Sequence, residues 1–374
     1  MFDSILRFWR RDGWLDIRSF GARGDGDDRN ARRNMVALQK AIDRCANMPS
    51  GGTVLIPSGD FRIAPRATHD LDSYIELKSN VDIVGLGHSS LLKLVANAGD
   101  FRTVFGSAAH NTSGKHVRHV RLSSLRIDTS PNENFNHHFD RREPSFRGYQ
   151  MCIALYRFEN ITIDGVWFDY GGTNAIMINN ISRAEAEDTP MIDSGIRVNN
   201  CRFQFHKLAG ARGKDGREAY DNTAVYLKGH NMSVTNNIFV SSSIEEHAFG
   251  AIEIHGGDAV ASGNQSENFA TCIAVVGDQD WFEKDPEQPG TEDKVLPSNV
   301  AVFGNTATNA NFPFQLNPFS PGPDDPQRPI TGLTNISVSD NVASIRQRQW
   351  GRYYWGGIGY VAGKGRVQHL TITG

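Results

Sequence analysis

Three observations in the sequence predict an all-β fold, a right-handed parallel β-helix (solenoid) with an N-terminal capping helix. A first strand type recurs in Cys152-Ile153-Ala154-Leu155-Tyr156, Ala175-Ile176-Met177-Ile178-Asn179, Ala224-Val225-Tyr226-Leu227-Lys228, Ala251-Ile252-Glu253-Ile254-His255, Cys272-Ile273-Ala274-Val275-Val276, Pro313-Phe314-Gln315-Leu316-Asn317 and Gly357-Ile358-Gly359-Tyr360-Val361. Each opens on a small or turn-tolerant residue and then alternates apolar with polar or small, the period of a strand with one buried face. A second type begins at Ile83, Leu122, Ile163, Val198, Val234, Ala261, Val302, Val338 and Ile372. From residue 153 onward the two types interleave without exception, at about one rung per 25 to 40 residues. Finally, four of the second strands reach Asn at one shared place, at Asn237, Asn264, Asn305 and Asn341. Strands too short to bury their own faces must stack, and a recurring Asn predicts a ladder of side-chain amides in a turn that tolerates left-handed backbone.

Taken in order, residues 1–14 read as an amphipathic segment, with Phe2, Ile5, Leu6 and Trp9 against Arg7, Arg10 and Arg11. Its apolar run is too short for a signal peptide. Residues 15–374 read as one β-helix domain. Phe20-Gly21-Ala22-Arg23-Gly24-Asp25-Gly26-Asp27-Asp28 is a glycine-punctuated turn, and Ala31 to Ala46 reads as a helix with Met35, Leu38, Ile42 and Cys45 on one face. Gly51 to Ile63 follows as strand, turn, strand. A helix over the first rung is the cap that keeps an open solenoid end from pairing with other chains. At the other end Ile372-Thr373-Gly374 starts a further second strand, so an uncapped or truncated end is expected.

Insertions flank the first strands on both sides: 180–195, 278–298 and 318–332 on one, 129–150, 204–222 and 344–356 on the other. They predict a walled groove along the solenoid, shaped for a polymer.

The 374 residues carry a net charge of -3 with both signs mixed, which leaves no electrostatic footprint for nucleic acid. No apolar run is long enough to span a membrane. The four cysteines read as free thiols, with Cys152 and Cys272 expected on one outward column and too many rungs apart for a disulfide. The sequons at Asn111, Asn160, Asn231 and Asn335 read as turn chemistry, and His137-His138 with Asp140 as a polar loop. No metal and no cofactor are expected.

The segment from residue 15 to 63 resembles the start of the pectate-lyase-like superfamily, the β-helix glycoside hydrolases, polysaccharide lyases and phage tailspike depolymerases. That family usually has a Thr-Asp-Asp step after the Gly-Asp-Gly, where this chain has Asp27-Asp28-Arg29-Asn30. Asp25, Asp27 and Asp28 read as turn and helix-start residues. The resemblance implies the β-helix and a polysaccharide partner. It is compatible with a homotrimer and with an extracellular or virion-associated location.

Outward columns of the first strands are expected to present Ala154, Met177, Tyr226, Glu253, Ala274, Gln315 and Gly359, and beside them Tyr156, Asn179, Lys228, His255, Val276, Asn317 and Val361. Tyr226, Lys228, Glu253 and His255 then form a two-by-two polar patch at mid-solenoid, neighbours about 4.8 Å apart across rungs. Read blandly, such a patch is a solvated face with weak cross-strand pairing.

Read as a site, Glu253 is the first catalytic carboxyl of a glycoside hydrolase, which needs a second one flanking the bond. Asp278, Asp280 or Glu246 would supply it; Asp278-Gln279-Asp280 one rung after Glu253 resembles the arrangement in β-helix hydrolases and tailspikes. Hydrolysis leads at this stage. The alternative is a lyase acting by β-elimination on a uronate polymer, with Lys228, His255 or Tyr226 as base and a cationic group on the carboxylate. A non-catalytic carbohydrate-binding or structural β-helix is the third reading. Tyr226, Gln315, Asn317, Asn179, Trp281, Arg217, Trp350 and Trp355 are the expected substrate-binding residues, since aromatic faces stack on sugars and arginine pairs with acidic groups.

Overall fold

A computed structural model describes residues 13–64, 75–96, 98, 103–106, 117–134, 151–156, 158–171, 174–179, 195–206, 223–242, 248–277, 282–283, 294–295, 299–310, 312–318, 332–345, 349–350, 353–354, 359–361 and 366–373. Residues 1–12 of the amphipathic segment and most of the insertions expected to wall a groove lie outside them.

The strands stack in parallel as a β-helix, and the second-strand ladder keeps the expected register rung by rung. Leu15, Val54, Ile83, Leu122, Ile163, Val198, Val234, Ala261, Val302, Val338 and Ile372 stand in one line. From Val54 to Val338 this line is buried. Leu370 and Ile372 of the last described strand are exposed.

A third ladder of nine strands, from Gly59–Ile63 to Val342–Ile345, was not separated in the sequence reading. Each of its strands starts right after the turn that ends a second strand, so no insertion marks the boundary. Its inward line is aromatic at the middle: Phe168 and Phe203 stack at 4.9 Å and Phe203 and Phe239 at 4.6 Å between centroids. The next rung has Ser266 there, and Phe269 turns edge-on to Phe239 at 6.3 Å.

The asparagine ladder is present. Asn237 Nδ2 donates to Asn264 Oδ1, Asn264 Nδ2 to Asn305 Oδ1 and Asn305 Nδ2 to Asn341 Oδ1, each at 2.9 Å, while the same oxygens accept the preceding backbone N–H groups. The left-handed residue of each turn is the one before, Asn236, Gly263, Gly304 and Asp340, so division of labour replaces the single dual-purpose Asn expected. Asn160, Asn231 and Asn335 have positive φ in the other corner, which makes them turn residues as read.

The cap follows the sequence closely. The helix runs Ala31–Ala46 and buries Met35, Leu38, Ile42 and Cys45. Asp27 accepts from the Arg29 N–H, and Asp25 from the Asp27 N–H and the Asn30 amide, the turn roles expected of them. Phe61 closes over Gly24 so tightly that a Cβ there would lie 2.8 Å from the ring.

One expectation about the first strands is corrected. Cys152 and Cys272 do not face outward: with Ala175, Ala224 and Ala251 they pack in the continuous apolar core, and so does the next residue along each strand, whereas the buried Ala154 and Ala274 of the outward column do not. The strand bends at this small residue, placing two successive side chains inside. All four cysteines are free and buried. Burial pushes the Cys201 and Cys272 thiols up to about 12 and Cys45 to about 11.

Candidate active site

The site lies where two long strands, Thr223–Thr235 and Ala248–Ser262, run through from the first ladder into the second with no insertion. Gly229 and Gly256, both at positive φ, carry each chain round the corner. Their pairing sets Tyr226 against Glu253 and Lys228 against His255. The expected patch therefore forms.

The register extends it as expected to Ala154, Met177, Ala274 and Gln315 on one column, and to Tyr156, Asn179, Val276 and Asn317 on the other. The last rung departs. In the backbone pairing Tyr360, not Gly359, stands opposite Gln315, and Val361 stands opposite the buried Leu316. A glycine on either side of Ile358, at Gly357 and Gly359, leaves the phase of that strand ambiguous in sequence.

A solvated face is not what the structure shows. Lys228 is buried at 9% exposure, and the His255 and Glu253 side chains are only 12% and 13% exposed. Buried charge is costly unless it is paired and hydrogen-bonded. Glu253 meets that demand with both oxygens: Oε1 accepts from the His255 Nε2–H at 2.6 Å, and Oε2 accepts from the Thr223 hydroxyl at 2.9 Å. The short first contact is that of a charge-assisted bond. Tyr226 packs its ring on the His255 imidazole, centroids 4.6 Å apart and planes tilted by 37°.

Chemically this is a carboxylate that orients an imidazole, with a phenol on the imidazole's face and an ammonium-bearing residue one rung away. Such a set can move a proton to and from a carbon acid and offer positive charge to an anion. Both Glu253 oxygens are engaged in this arrangement, one by His255 and one by Thr223.

Thr223 was missed by sequence reasoning. It precedes the small residue that opens the strand, a place that reads as turn, and the bend at Ala224 is what lets it reach Glu253. A signal did exist, in the polar residues Asn174, Thr223 and Thr271 just before that small residue in three rungs.

Several expected site residues lie outside the described residues: Glu246, Asp278, Asp280, Trp281, Arg217 and Trp355. For Asn179 and Trp350 only the backbone is described, the latter in a two-residue strand pairing with Tyr353–Tyr354. Among the described residues no cluster of His, Cys, Asp and Glu is arranged to hold a metal, and no helix is long and apolar enough to cross a membrane.

Comparison with known proteins bears on this geometry. Mannuronan C5-epimerase AlgE6 of Azotobacter vinelandii is 32% identical over 162 residues, 41% of this chain and 17% of that protein. Alginate lyase 7 of the same organism is 34% identical over 116 residues, 30% of this chain and 12% of its own length. This chain thus spans under a fifth of either relative. Among solved structures, a tailspike protein variant of E. coli bacteriophage HK620 in complex with a pentasaccharide superposes with a TM-score of 0.66 at 18% identity, covering 100% of this chain and 58% of that one. That likeness carries the fold, a parallel β-helix. Residues 14–282 match the family described as rhamnogalacturonase A/epimerase, pectate lyase-like. With more than half its length inside that match, the chain belongs to the rhamnogalacturonase A/epimerase, pectate lyase-like family.

Proposed function

We propose that the chain modifies a uronate-containing polysaccharide by removing the proton next to the sugar carboxylate, with elimination or epimerisation as the outcome. The observation that carries this reading is the commitment of both Glu253 oxygens, one to His255 and one to Thr223. A glycosidase carboxyl must present an oxygen to the glycosidic bond; this one is turned to an imidazole instead. His255 and Tyr226 are the groups that exchange the proton, and Lys228 compensates the substrate carboxylate as negative charge spreads onto it. Relatives named mannuronan epimerase and alginate lyase support a uronate as the substrate class.

Elimination and epimerisation share the first step and differ in the second. In the first, loss of the O4 substituent gives an unsaturated sugar; in the other, a proton returns to the opposite face.

Hydrolysis is the second reading, favoured by a carboxyl on the outward ladder and by the rhamnogalacturonase in the family's description. It would require Asp278, Asp280 or Glu246 as the partner of Glu253. A homotrimer working outside the cell or on a virion suits either chemistry. The test incubates the protein with polymannuronate, polygalacturonate and neutral glycans while following reducing ends, ultraviolet absorbance of unsaturated uronate and sugar configuration by NMR. Absorbance or inverted configuration on a polyuronate is expected. Reducing ends without either would put hydrolysis in its place.

A further inference from the structure

The column that precedes the small corner residue runs Thr103, Met151, Asn174, Thr223, Gly250 and Thr271, rung after rung. Two threonines flank a glycine where the site lies. A Cβ on Gly250 would stand 3.2 Å from the Thr223 Oγ1 and 3.4 Å from its Cγ2, tighter than side chains ordinarily pack. The bare Cα therefore leaves the Thr223 hydroxyl room to lean across the rung boundary onto Glu253. Thr271, on the far side of Gly250, is as deeply buried, yet its hydroxyl has no hydrogen-bond partner among the described residues. Burial in this column thus does not by itself provide a threonine hydroxyl with a partner.

From this we infer that Thr223 is a positioning residue: it holds Glu253 Oε2, and Gly250 is the gap that allows it, so that Oε1 keeps the His255 ring in one orientation. The inference rests on the proposed role of the Glu253–His255 pair. The chemistry is differential. A carboxylate swings about its χ angles unless both oxygens are fixed, and an imidazole that wanders with it meets the substrate carbon in a productive pose only part of the time. Loss of the anchor should lower turnover and leave substrate binding nearly unchanged.

Asn174 Nδ2 donates to the Thr223 backbone oxygen at 2.7 Å, a bond that a side-chain change does not remove. Thr223→Val keeps this bond and the shape, and deletes only the hydroxyl.

The test compares Thr223→Val, Thr223→Ser and Gly250→Ala with the parent protein in two readouts. One is steady-state kinetics on a polyuronate: kcat is expected to fall roughly 10-fold or more in Thr223→Val with KM changed by less than about 2-fold, and to recover in Thr223→Ser. Gly250→Ala, which crowds the hydroxyl, should resemble the valine variant. The other readout needs no turnover. In the parent, histidine-labelled and observed by NMR, the His255 Nε2–H bonded to Glu253 should give a downfield, slowly exchanging proton, identified by its loss in His255→Gln. It should broaden or vanish in Thr223→Val and persist in Thr223→Ser.

If Thr223→Val keeps both this proton and the parent kcat, the positioning role is wrong. If the parent turns over no polyuronate while the proton still responds to Thr223→Val, the positioning role stands and the functional reading falls. A valine variant that loses thermal stability together with both signals, and is not rescued by serine, would mark Thr223 as structural and overturn the inference.

Discussion

Glu253 shows how one residue ties stability to chemistry. Its carboxylate is nearly buried, and its two hydrogen bonds are both what makes that burial tolerable and what aims His255. Glu253→Gln keeps the shape but removes the charge that would hold an imidazolium in the proposed proton transfer. Turnover on a polyuronate is expected to drop roughly 100-fold or more, within the range for removing an acid–base group, with the circular dichroism spectrum unchanged. Lys228→Ala is expected to weaken polyuronate binding by calorimetry while leaving neutral glycans unaffected, because the lost interaction is with the sugar carboxylate.

A second buried carboxylate, Asp169, lies in the third ladder. Burial would raise the Asp169 pKa, but hydrogen bonds from His206 and Arg126, the latter at 2.7 Å, outweigh it and hold the group below the ordinary carboxylate range. The stability it contributes is present above the unfolded-state value of about 3.9 and is lost as the pH falls through the lower folded-state value. Asp169→Asn should therefore destabilise the protein at neutral pH, and the gap from the parent should narrow in denaturant titrations as the pH falls below the ordinary carboxylate range.

Among the elements, the asparagine turn is the most demanding. Asn264 accepts from the Asn237 N–H and side-chain amide, and donates to Val234 O and Asn305 Oδ1. Asn264→Ala strands several of these buried groups at once, at a cost of about 1–3 kcal/mol for each one left unsatisfied. Chemical denaturation should show a loss of at least that size, whereas Gly304, exposed and with open space where a Cβ would stand, should tolerate Asn because Asn also accepts left-handed backbone.

These ladders were legible because repetition made them so. Nine second strands and four asparagines kept their phase over hundreds of residues, and a one-residue slip would have turned each apolar line outward. The third ladder was hidden in the same repetition: strands such as Ile238–Ser241 begin two residues after a left-handed turn residue, and hydropathy alone cannot see a bend. For the same reason the sequence pattern puts Cys152 and Cys272 on the wrong face and leaves Thr223 outside the expected patch. Side-chain partnership across rungs, such as Thr223 to Glu253, is marked in sequence only by the polar residues Asn174, Thr223 and Thr271 that precede the small one in three rungs. The pairing of Glu253 with His255 on one strand, by contrast, follows from period two.

At the scale of the whole molecule, one continuous apolar core runs from the capping helix to the last rungs, and the four thiols mark it at Cys45, Cys152, Cys201 and Cys272. With burial raising their pKa values, none is a ready nucleophile at neutral pH. Alkylation at pH 8 should leave all four unmodified in the native protein and label all four together once denaturant unfolds the solenoid. Stepwise labelling of Cys272 before Cys45 would show that the rungs open separately, as a stack held by nearest-neighbour contacts can.

The solenoid also explains why the proposed site sits where it does. Mid-stack rungs are covered on both sides, so a buried charge pair there is held by two neighbours, and the outward ladder on either side extends the surface a polymer can follow. Proton abstraction beside a uronate carboxylate is the central claim, and it has one direct readout. Polymannuronate and polygalacturonate would each be incubated with the protein in deuterium oxide, and deuterium at C5, the carbon bearing the carboxylate, measured by NMR and mass spectrometry after acid hydrolysis. The account predicts deuterium at C5, or an unsaturated end where elimination follows, and neither with Glu253→Gln. Cleavage that yields new reducing ends with C5 fully protonated would contradict it.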